Sequence, residues 1–231
     1  PEEIEVTYES IDPVFQEIPT KEEIEDFKTR YKINGDFILY TGGLKRHKNL
    51  RMLIKTFAIL VKEHGFTGSL FILGAVRNTM AISPYIYYRS EDLENYAKLK
   101  KVGNRVRLIG FVSRKDMSLF MHLARCFVSI SLYEGFGLPA LEAMTSECPS
   151  VLSDLGAYPE IADDAALFVY PYGPHRIAEA LNMILTKNEL RERLIRKGRE
   201  RAKFFDRIKI AKRVLEIYQE VYDDYRIKFE P

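Results

Sequence analysis

Two glutamates with seven residues between them, Glu134 and Glu142, flank a glycine-containing turn in residues 134–142 (EGFGLPALE). The apolar, β-rich residues 126–132 precede this turn and have the length of a buried parallel strand. Pro139 suits the first turn of a helix, where its missing N–H group costs nothing. The free N–H groups and the dipole of such a helix start attract anions. Because carboxylates repel phosphate, we expect the glutamates to meet other groups, such as the hydroxyls of a sugar or a ribose.

A basic loop is the second stretch with chemical potential. Residues 40–50 (YTGGLKRHKNL) carry Lys45, Arg46, His47 and Lys48 between a predicted strand and a predicted helix. Cations at a helix start suit phosphate recognition, although the spacing matches neither a Walker loop nor a dinucleotide fingerprint. Such a loop is by itself more often simply solvated. Together with the glutamate turn on the same sheet edge, it predicts a diphosphate clamp.

Strand-like and helical segments alternate along the chain, which predicts an α/β fold with a Rossmann-like parallel sheet flanked by helices. The first helix is predicted at residues 21–31, with Thr20 as its cap and Glu23 in the capping-box position. The predicted strands are residues 37–41, 69–73, 105–109, 126–132, 149–153 and 165–170, and the helices between them are residues 49–64, 91–101 and 114–124, the last capped by Ser113.

Glycine recurs where the predicted strands end, at Gly42, Gly74, Gly110 and Gly135. In open parallel sheets, ligands bind beyond the carboxyl ends of the strands, near the point where the strand order reverses. A single glycine at such a place more often just ends a strand. Their recurrence favours a binding edge, since glycine lets the backbone approach a ligand closely.

The overall composition is that of a soluble globular protein with a sizeable core: 231 residues, 46% hydrophobic and 29% charged. A net charge of +2, from 35 basic and 33 acidic residues, does not indicate nucleic-acid binding. Cys126 and Cys148 lie in apolar contexts and are predicted to be reduced core residues, which is cytosolic in character. No apolar run approaches membrane-spanning length, and no signal-peptide pattern is present.

Two segments depart from the alternation. Residues 76–90 form a predicted loop insertion, with Tyr85, Tyr87 and Tyr88, that serves either packing or a lid. From about residue 174 the chain is predicted to be almost wholly helical and basic on one face. That face is more often solvated, and the alternative is attraction to an anionic membrane surface. Its basic residues are Arg191, Arg193, Arg196, Lys197, Arg199 and Arg201.

With residues 110–113 (GFVS) and 159–160 (PE), the two stretches resemble the carboxyl-terminal, donor-binding domain of a retaining GT-B glycosyltransferase of family 4, also called group 1. The most specific part is the E-x7-E motif in the context S-x-Y-E-G-F-G-L-P-x-L-E-A-M. The resemblance covers residues 4 to about 222 and is closest to mannosyltransferases that use GDP-mannose. It implies the C-terminal half of a GT-B fold, in which two Rossmann-like domains cooperate.

The resemblance also implies a role for each matching residue. Glu134 would meet the hydroxyls of the donor sugar, and Glu142 those of the ribose. Lys48, with Arg46, would neutralise the departing diphosphate. Backbone groups would contact the sugar and diphosphate at Gly135, Phe136, Gly137 and Leu138, the base at Gly110, Phe111 and Val112, and the donor at Gly42 and Gly43.

The chain departs from the family pattern at two positions. Gly43 stands where many relatives have their first phosphate-binding arginine, so Arg46 or His47 must compensate. Asp163 stands at a usual glycine position. The chain has no D-x-D metal signature, and neither a metal nor another cofactor is expected.

The family fold predicts three parts. Residues 1–20 would be an interdomain linker, residues 21–205 the nucleotide-sugar-binding domain, and residues 206–231 a C-terminal helix that crosses back to a missing N-terminal domain. The tyrosines of this last helix either contact that domain or pack within this one. Because the chain opens on Pro1 with sequence typical of the middle of a protein, we expect a fragment.

The predicted partners are GDP-mannose or a UDP-sugar, the missing N-terminal domain, and a glycan or lipid-linked acceptor of polysaccharide biosynthesis, but no nucleic acid. The expected location is cytoplasmic, with peripheral contact at the inner membrane face as an option. Two other functions stay open. One is a nucleotide-sugar-binding module without turnover. The other is another GT-B enzyme such as a sugar phosphorylase, whose pyridoxal-phosphate lysine is not evident in the sequence.

Overall fold

The computed structural model describes residues 4–74 and 86–229, with side chains up to residue 223. Within these residues six strands form one sheet in the order β3-β2-β1-β4-β5-β6, and all neighbours are parallel. The predicted α/β fold with a Rossmann-like parallel sheet is confirmed. The strands are β1 (Phe37–Thr41), β2 (Ser69–Leu73), β3 (Val106–Gly110), β4 (Cys126–Ser129), β5 (Ser150–Ser153) and β6 (Ala166–Val169).

Helices follow the strands and cover both faces of the sheet. In the described part of the chain they are α1 (Lys21–Tyr31), α2 (Leu50–His64), α3 (Ser90–Leu99), α4 (Arg114–Leu123), α5 (Leu138–Thr145), α6 (Tyr158–Ala162), α7 (Pro174–Thr186), α8 (Asn188–Ala202) and α9 (Arg207–Phe229). Short 3-10 turns lie at Pro13–Phe15, Arg46–Lys48, Asp163–Ala165 and Lys203–Phe205.

The predicted starts of two helices are confirmed by their side-chain caps. The Thr20 hydroxyl accepts from the Glu23 N–H group at 3.2 Å, and the Glu23 carboxylate accepts from the Thr20 N–H group at 2.9 Å. At α4, the Ser113 hydroxyl accepts from the Asp116 N–H group at 3.0 Å. These local contacts act between neighbours in sequence, which is why they could be predicted.

One predicted strand was wrong at its end. The strand predicted over residues 126–132 stops at Ser129, because the chain beyond it leaves the sheet. The Leu132 N–H group donates instead to the carbonyl of His47 at 2.7 Å, in the loop that follows β1. The departure brings the loop after β4 against the basic loop.

Apolar residues of the sheet pack into two hydrophobic cores, one on each face. Successive residues of a strand point to opposite faces, so Phe37 and Leu39 of β1 join one core while Ile38 and Tyr40 join the other. Helices α1, α4, α5 and α6 cover the first face, and α2, α3, α7 and α8 the second. Burial on both faces explains why the strands are almost continuously apolar.

Both cysteines lie in these cores, as predicted. Cys126 and Cys148 are buried and have free thiols. Burial raises the pKa of the Cys148 thiol to about 12. The thiols therefore stay protonated and act as small apolar side chains.

The predicted helical tail is confirmed as α7, α8 and α9, and several basic residues of α8 contact the protein. Lys197 and Arg199 form salt bridges with Asp164 and Glu147. The Arg201 guanidinium donates to two carbonyls of α6, at 2.6 and 3.0 Å. Among the described residues, no helix is both long and apolar enough to cross a membrane.

Two glycines at the carboxyl edge of the sheet differ in the space around them, and replacing each with alanine tests this packing. A Cβ atom added to Gly74 would lie 1.9 Å from the carbonyl oxygen of Gly42, whereas one added to Gly43 would meet nothing within 4 Å. We expect Gly74→Ala to lower the free energy of unfolding by roughly 1–3 kcal/mol, because backbone must move to admit the methyl group. Gly43→Ala should change it by less than about 0.5 kcal/mol. Urea unfolding measures both, and equal effects would contradict this edge geometry.

Candidate functional site

The strand order reverses between β1 and β4, and the loops that follow these two strands meet at that point. The bond from Leu132 to His47 joins them. Asn49, in a left-handed conformation with φ of 58°, precedes α2, and its side-chain amide donates to the carbonyls of Ile130 and Pro171 at 3.4 and 2.9 Å. The start of α2 is thereby fixed against the carboxyl ends of β4 and β6.

A salt bridge crosses this junction. The Lys48 ammonium lies 2.6 and 2.7 Å from the two carboxylate oxygens of Glu134. Both side chains are mostly buried, at 17% and 11% exposure. The structure thus brings together two residues that are 86 positions apart and that the sequence proposed for one site. In this salt bridge the cation and the carboxylate neutralise each other.

Tyr158 lies beneath this pair and was missed by the sequence interpretation. Its hydroxyl is 3.1 Å from Glu134 Oε1 and 2.6 Å from the Ser129 hydroxyl, and the residue is fully buried. Burial raises the pKa of Tyr158 far above its ordinary value, so its hydroxyl remains a proton donor. The signal that could have found it is its position just before Pro159, since a proline there predicts the start of a helix.

The start of α5 presents unused donors. In the part of the chain that the structure describes, the backbone N–H groups of Gly135, Phe136, Gly137 and Leu138 donate to no protein group. Gly137 has φ of 96°, and a Cβ atom there would lie 2.8 Å from the Tyr158 ring. Only glycine fits this position, for both reasons. The loop therefore offers a set of donors at a helix N-terminus, a geometry that suits an anion.

Glu142 lies within α5 and forms a salt bridge with Arg114. Its buried carboxylate, 6% exposed, accepts from Arg114 Nη1 at 2.8 Å. Arg114 also donates to Asp12 at 3.2 Å and lies over the Phe15 ring at 4.9 Å. Burial raises the pKa of Glu142, and the Arg114 charge opposes that rise. Sequence reasoning missed Arg114, whose only signal is its place directly after residues 110–113.

The segment proposed to contact the base lies at the end of the edge strand β3. Gly110 has φ of 82°, and its carbonyl accepts from the Gly74 N–H group at 2.9 Å. The Phe111 side chain is 86% exposed, whereas Val112 is buried in the core. With Val112 anchored, the backbone of this segment is held at the carboxyl edge of the sheet.

The two residues predicted to form the clamp have different surroundings. The Arg46 guanidinium lies over the ring of Tyr88 at 5.0 Å, and the Arg46 N–H group donates to the carbonyl of Ile86 at 2.8 Å. Lys48 contacts Glu134 instead. The end of the predicted insertion therefore packs on the basic loop, while residues 76–85 of that insertion, which include Tyr85, lie outside the described residues.

The glycines after β1 have structural duties as well. Gly42 has φ of 141°, and its N–H group donates to the carbonyl of Leu73 at 3.0 Å. The Gly43 carbonyl accepts from the buried Tyr40 hydroxyl at 3.2 Å. Across residues 4–74 and 86–223, no group of three or more His, Cys, Asp or Glu could hold a metal ion.

Known proteins resemble this chain in sequence and in fold. The sequence model of the family "Glycosyl transferases group 1" matches residues 21–201. The chain is 31% identical over 172 residues to the O-antigen chain mannosyltransferase B of Escherichia coli, covering 73% of this chain and 42% of that protein. It is 29% identical over 220 residues to a diphospho-undecaprenol 4-alpha-N-acetylgalactosaminyltransferase of Campylobacter jejuni, covering 93% and 53%. The chain thus spans about half the length of these curated relatives.

Solved structures show the same fold. Anabaena HepE in complex with UDP-glucose matches with a TM-score of 0.80 at 18% identity, over 94% of this chain and 57% of that one. The C-terminal domain of a group 1 glycosyl transferase from Francisella tularensis matches with a TM-score of 0.67 at 24% identity, over 84% and 97%. The fold is that of a Rossmann-like domain from a GT-B glycosyltransferase. The chain belongs to the family of group 1 glycosyl transferases, and the resemblance stated from its motifs is confirmed.

The buried Glu142 carboxylate predicts a pH-dependent stability. Burial raises the pKa of Glu142 in the folded chain, so the folded chain holds this proton more tightly than the unfolded chain does. The resulting stabilisation is fully present below the unfolded-state pKa of about 4.3, where the carboxyl is protonated in both states. It is lost as the pH rises through the folded-state pKa. Glu142→Gln should therefore be more stable than the wild type at pH 7, and this difference should shrink towards pH 4. Thermal unfolding measures it.

A matched control is Glu94→Gln, which removes an exposed carboxylate on α3. We expect it to leave stability nearly unchanged at every pH. A Glu142→Gln variant that is less stable than the wild type at pH 7 would show that the Arg114 salt bridge outweighs the cost of burying the charge.

Proposed function

We propose that this chain is the donor-binding half of a retaining glycosyltransferase that moves a hexose, with mannose favoured, from a nucleoside diphosphate sugar to a glycan or lipid-linked acceptor. The observation that carries the proposal is the Lys48–Glu134 salt bridge beside the unused N–H groups of α5. The names of the Escherichia coli relatives support mannose. The Anabaena complexes with UDP and UDP-glucose support a nucleotide sugar and keep a uridine donor open.

The reaction requires a site for the leaving group. The bond between the anomeric carbon and the diphosphate oxygen breaks, and that oxygen keeps the electron pair. The oxygen of the acceptor hydroxyl bonds to the anomeric carbon on the same face, and the hydroxyl proton passes to the departing diphosphate oxygen. Lys48 and the N-terminus of α5 would stabilise the negative charge that develops on the diphosphate. Arg46, on the same basic loop, would supply a second positive charge towards the diphosphate. In this proposal these groups carry the stabilisation, so neither a divalent ion nor another cofactor is required.

Glu134 would then bind the donor sugar. When the diphosphate attracts Lys48, the carboxylate oxygens become available to accept from sugar hydroxyls. The salt bridge of the free chain keeps this acid from repelling the incoming diphosphate. One contact thus solves the problem of placing a carboxylate beside an anion site.

The nucleoside would extend along the same edge towards β3. Glu142 would accept from the ribose hydroxyls with the oxygen that Arg114 leaves open, since only Oε1 contacts Arg114. The backbone of Gly110, Phe111 and Val112 would meet the base. This order of contacts follows the strand ends from the switch point to the sheet edge.

Residues near both ends of the chain offer a surface for another domain. The segment before α1 lies along α9, where Arg213 donates to Glu5 at 2.9 Å. Leu215, Tyr218 and Val221 of α9 are 69%, 71% and 63% exposed. The exposure of Tyr218 favours contact with another domain over packing within this one, the two options from sequence.

We infer that residues 1–20 serve as an interdomain linker to residues 21–205, and that residues 206–231, which include α9, contact an N-terminal domain of the same enzyme. That domain would supply most acceptor contacts. A lipid-linked acceptor would place the enzyme on the cytoplasmic side, at the inner membrane face. The basic side of α8 could meet anionic headgroups there.

Calorimetry of this chain with GDP, UDP, GDP-mannose and UDP-glucose tests the proposal. We expect one nucleoside diphosphate to bind more tightly than 1 mM. Lys48→Met should weaken it at least about ten-fold, because a charge-assisted contact to phosphate is lost. Lys55→Met, which removes an exposed lysine from the same helix region, is the matched control and should bind like the wild type. No binding by the wild type would overturn the proposal.

A further inference from the structure

The hydroxyl of Tyr158 stands between two acceptors and can serve only one at a time. It lies 2.6 Å from Ser129 Oγ and 3.1 Å from Glu134 Oε1, and it carries one proton. The shorter distance assigns that proton to Ser129 in the free chain. The Tyr158 hydroxyl then makes the weaker contact with Glu134, at a distance from which it can still donate after rotating.

A buried set of hydroxyls continues behind Ser129. The Ser129 and Ser131 hydroxyls are 3.2 Å apart, and the Ser153 hydroxyl donates to the Ser131 carbonyl at 2.6 Å. All three serines are buried. Because a hydroxyl both donates and accepts, Ser129 can donate to Tyr158 when Tyr158 donates to Glu134. The proton order can therefore reverse by rotation of hydroxyls, without movement of the backbone.

The need for such a reversal follows from the salt bridge. In the free chain, both oxygens of Glu134 contact Lys48. If Lys48 moves to a diphosphate, a carboxylate that is only 11% exposed loses its cation. A buried charge without a donor is unfavourable. Tyr158 is the donor already placed to replace the lost contact.

We propose that Tyr158 is a positioning residue that holds the Glu134 carboxylate towards the donor sugar when Lys48 transfers to the diphosphate. This inference rests on the proposed function. Its hydroxyl turns from Ser129 to Glu134 when Lys48 has left and the bound sugar excludes water. The same ring packs against Gly137, where no Cβ atom fits. Tyr158 therefore aligns both the carboxylate and the donor loop of α5.

Tyr158→Phe separates these two duties, because it keeps the ring and removes the hydroxyl. The measurement is the affinity of the 231-residue chain for GDP-mannose relative to GDP, or for UDP-glucose relative to UDP if the wild type prefers uridine. Without the sugar, water can satisfy Glu134 after Lys48 leaves. With the sugar bound, water is excluded and the tyrosine contact matters. We expect the ratio of affinities to fall about five-fold, the value of one hydrogen bond.

Two variants serve as controls. Tyr31→Phe removes another hydroxyl that donates to a carboxylate, that of Asp116 on α4 at 2.9 Å, and should leave the ratio unchanged. Ser129→Ala removes the competing acceptor, leaves the tyrosine proton to Glu134, and should not lower the ratio. A ratio that falls equally in all three variants would assign the effect to general loosening of the fold and overturn the inference.

The unmodified chain gives a second readout that no folding defect can obscure. The buried hydroxyl proton of Tyr158 should shift in NMR spectra when the nucleotide sugar is added, and less when the nucleoside diphosphate is added alone. Binding of the nucleotide sugar with no such shift and no change in ratio for Tyr158→Phe would overturn the role of Tyr158 while leaving the proposed function intact. Absence of any nucleotide binding would overturn both.

Discussion

The reversal of strand order between β1 and β4 is the constraint on which the site depends. Because neighbouring strands there send their following helices to opposite faces, the two loops open onto a common edge. Two full cores hold the strands in place from both sides. The Leu132–His47 and Asn49 contacts then join the loops, and the Lys48–Glu134 salt bridge closes across them.

The site holds its charges at some expense to the fold. Glu142 is buried where its neutral form is favoured, and Arg114 only partly compensates. Glu134 is nearly as buried and relies on Lys48. Such an arrangement is typical of functional sites, where groups are placed for a ligand rather than for stability. In the proposed enzyme, sugar hydroxyls would donate to Glu134 in place of Lys48, and ribose hydroxyls would donate to Glu142 beside Arg114.

Features that depend on residues close in sequence could be predicted from the sequence, whereas contacts between distant residues mostly could not. The Thr20 and Ser113 caps and the apolar strands are local patterns, and they were predicted correctly. The position of the basic loop and the Glu134 loop at one sheet edge was predicted as well, because parallel strands place their carboxyl ends at one edge, but the Lys48–Glu134 salt bridge itself was not. The overextended strand at residues 126–132 was wrong, since a contact to His47 ends it.

Other parts of the site depend on packing between distant elements. Arg114 reaches Glu142 only because α4 and α5 lie side by side. Tyr158 reaches Glu134 through α6, a five-residue helix too short to show periodicity. Arg46 resembled Lys48 in sequence, but the returning chain at Tyr88 gives it another neighbour. Residue types and spacing point to the positions of Tyr158 and Arg114 at most, and do not identify the carboxylates that these residues contact.

A crystal structure of this chain with a bound nucleoside diphosphate sugar tests the central claim most directly. We expect the diphosphate to lie against the start of α5 and to contact Lys48, and we expect Glu134 to have exchanged Lys48 for hydroxyls of the sugar. A nucleotide sugar bound away from the β1–β4 junction, or bound there with the Lys48–Glu134 salt bridge unchanged, would contradict it.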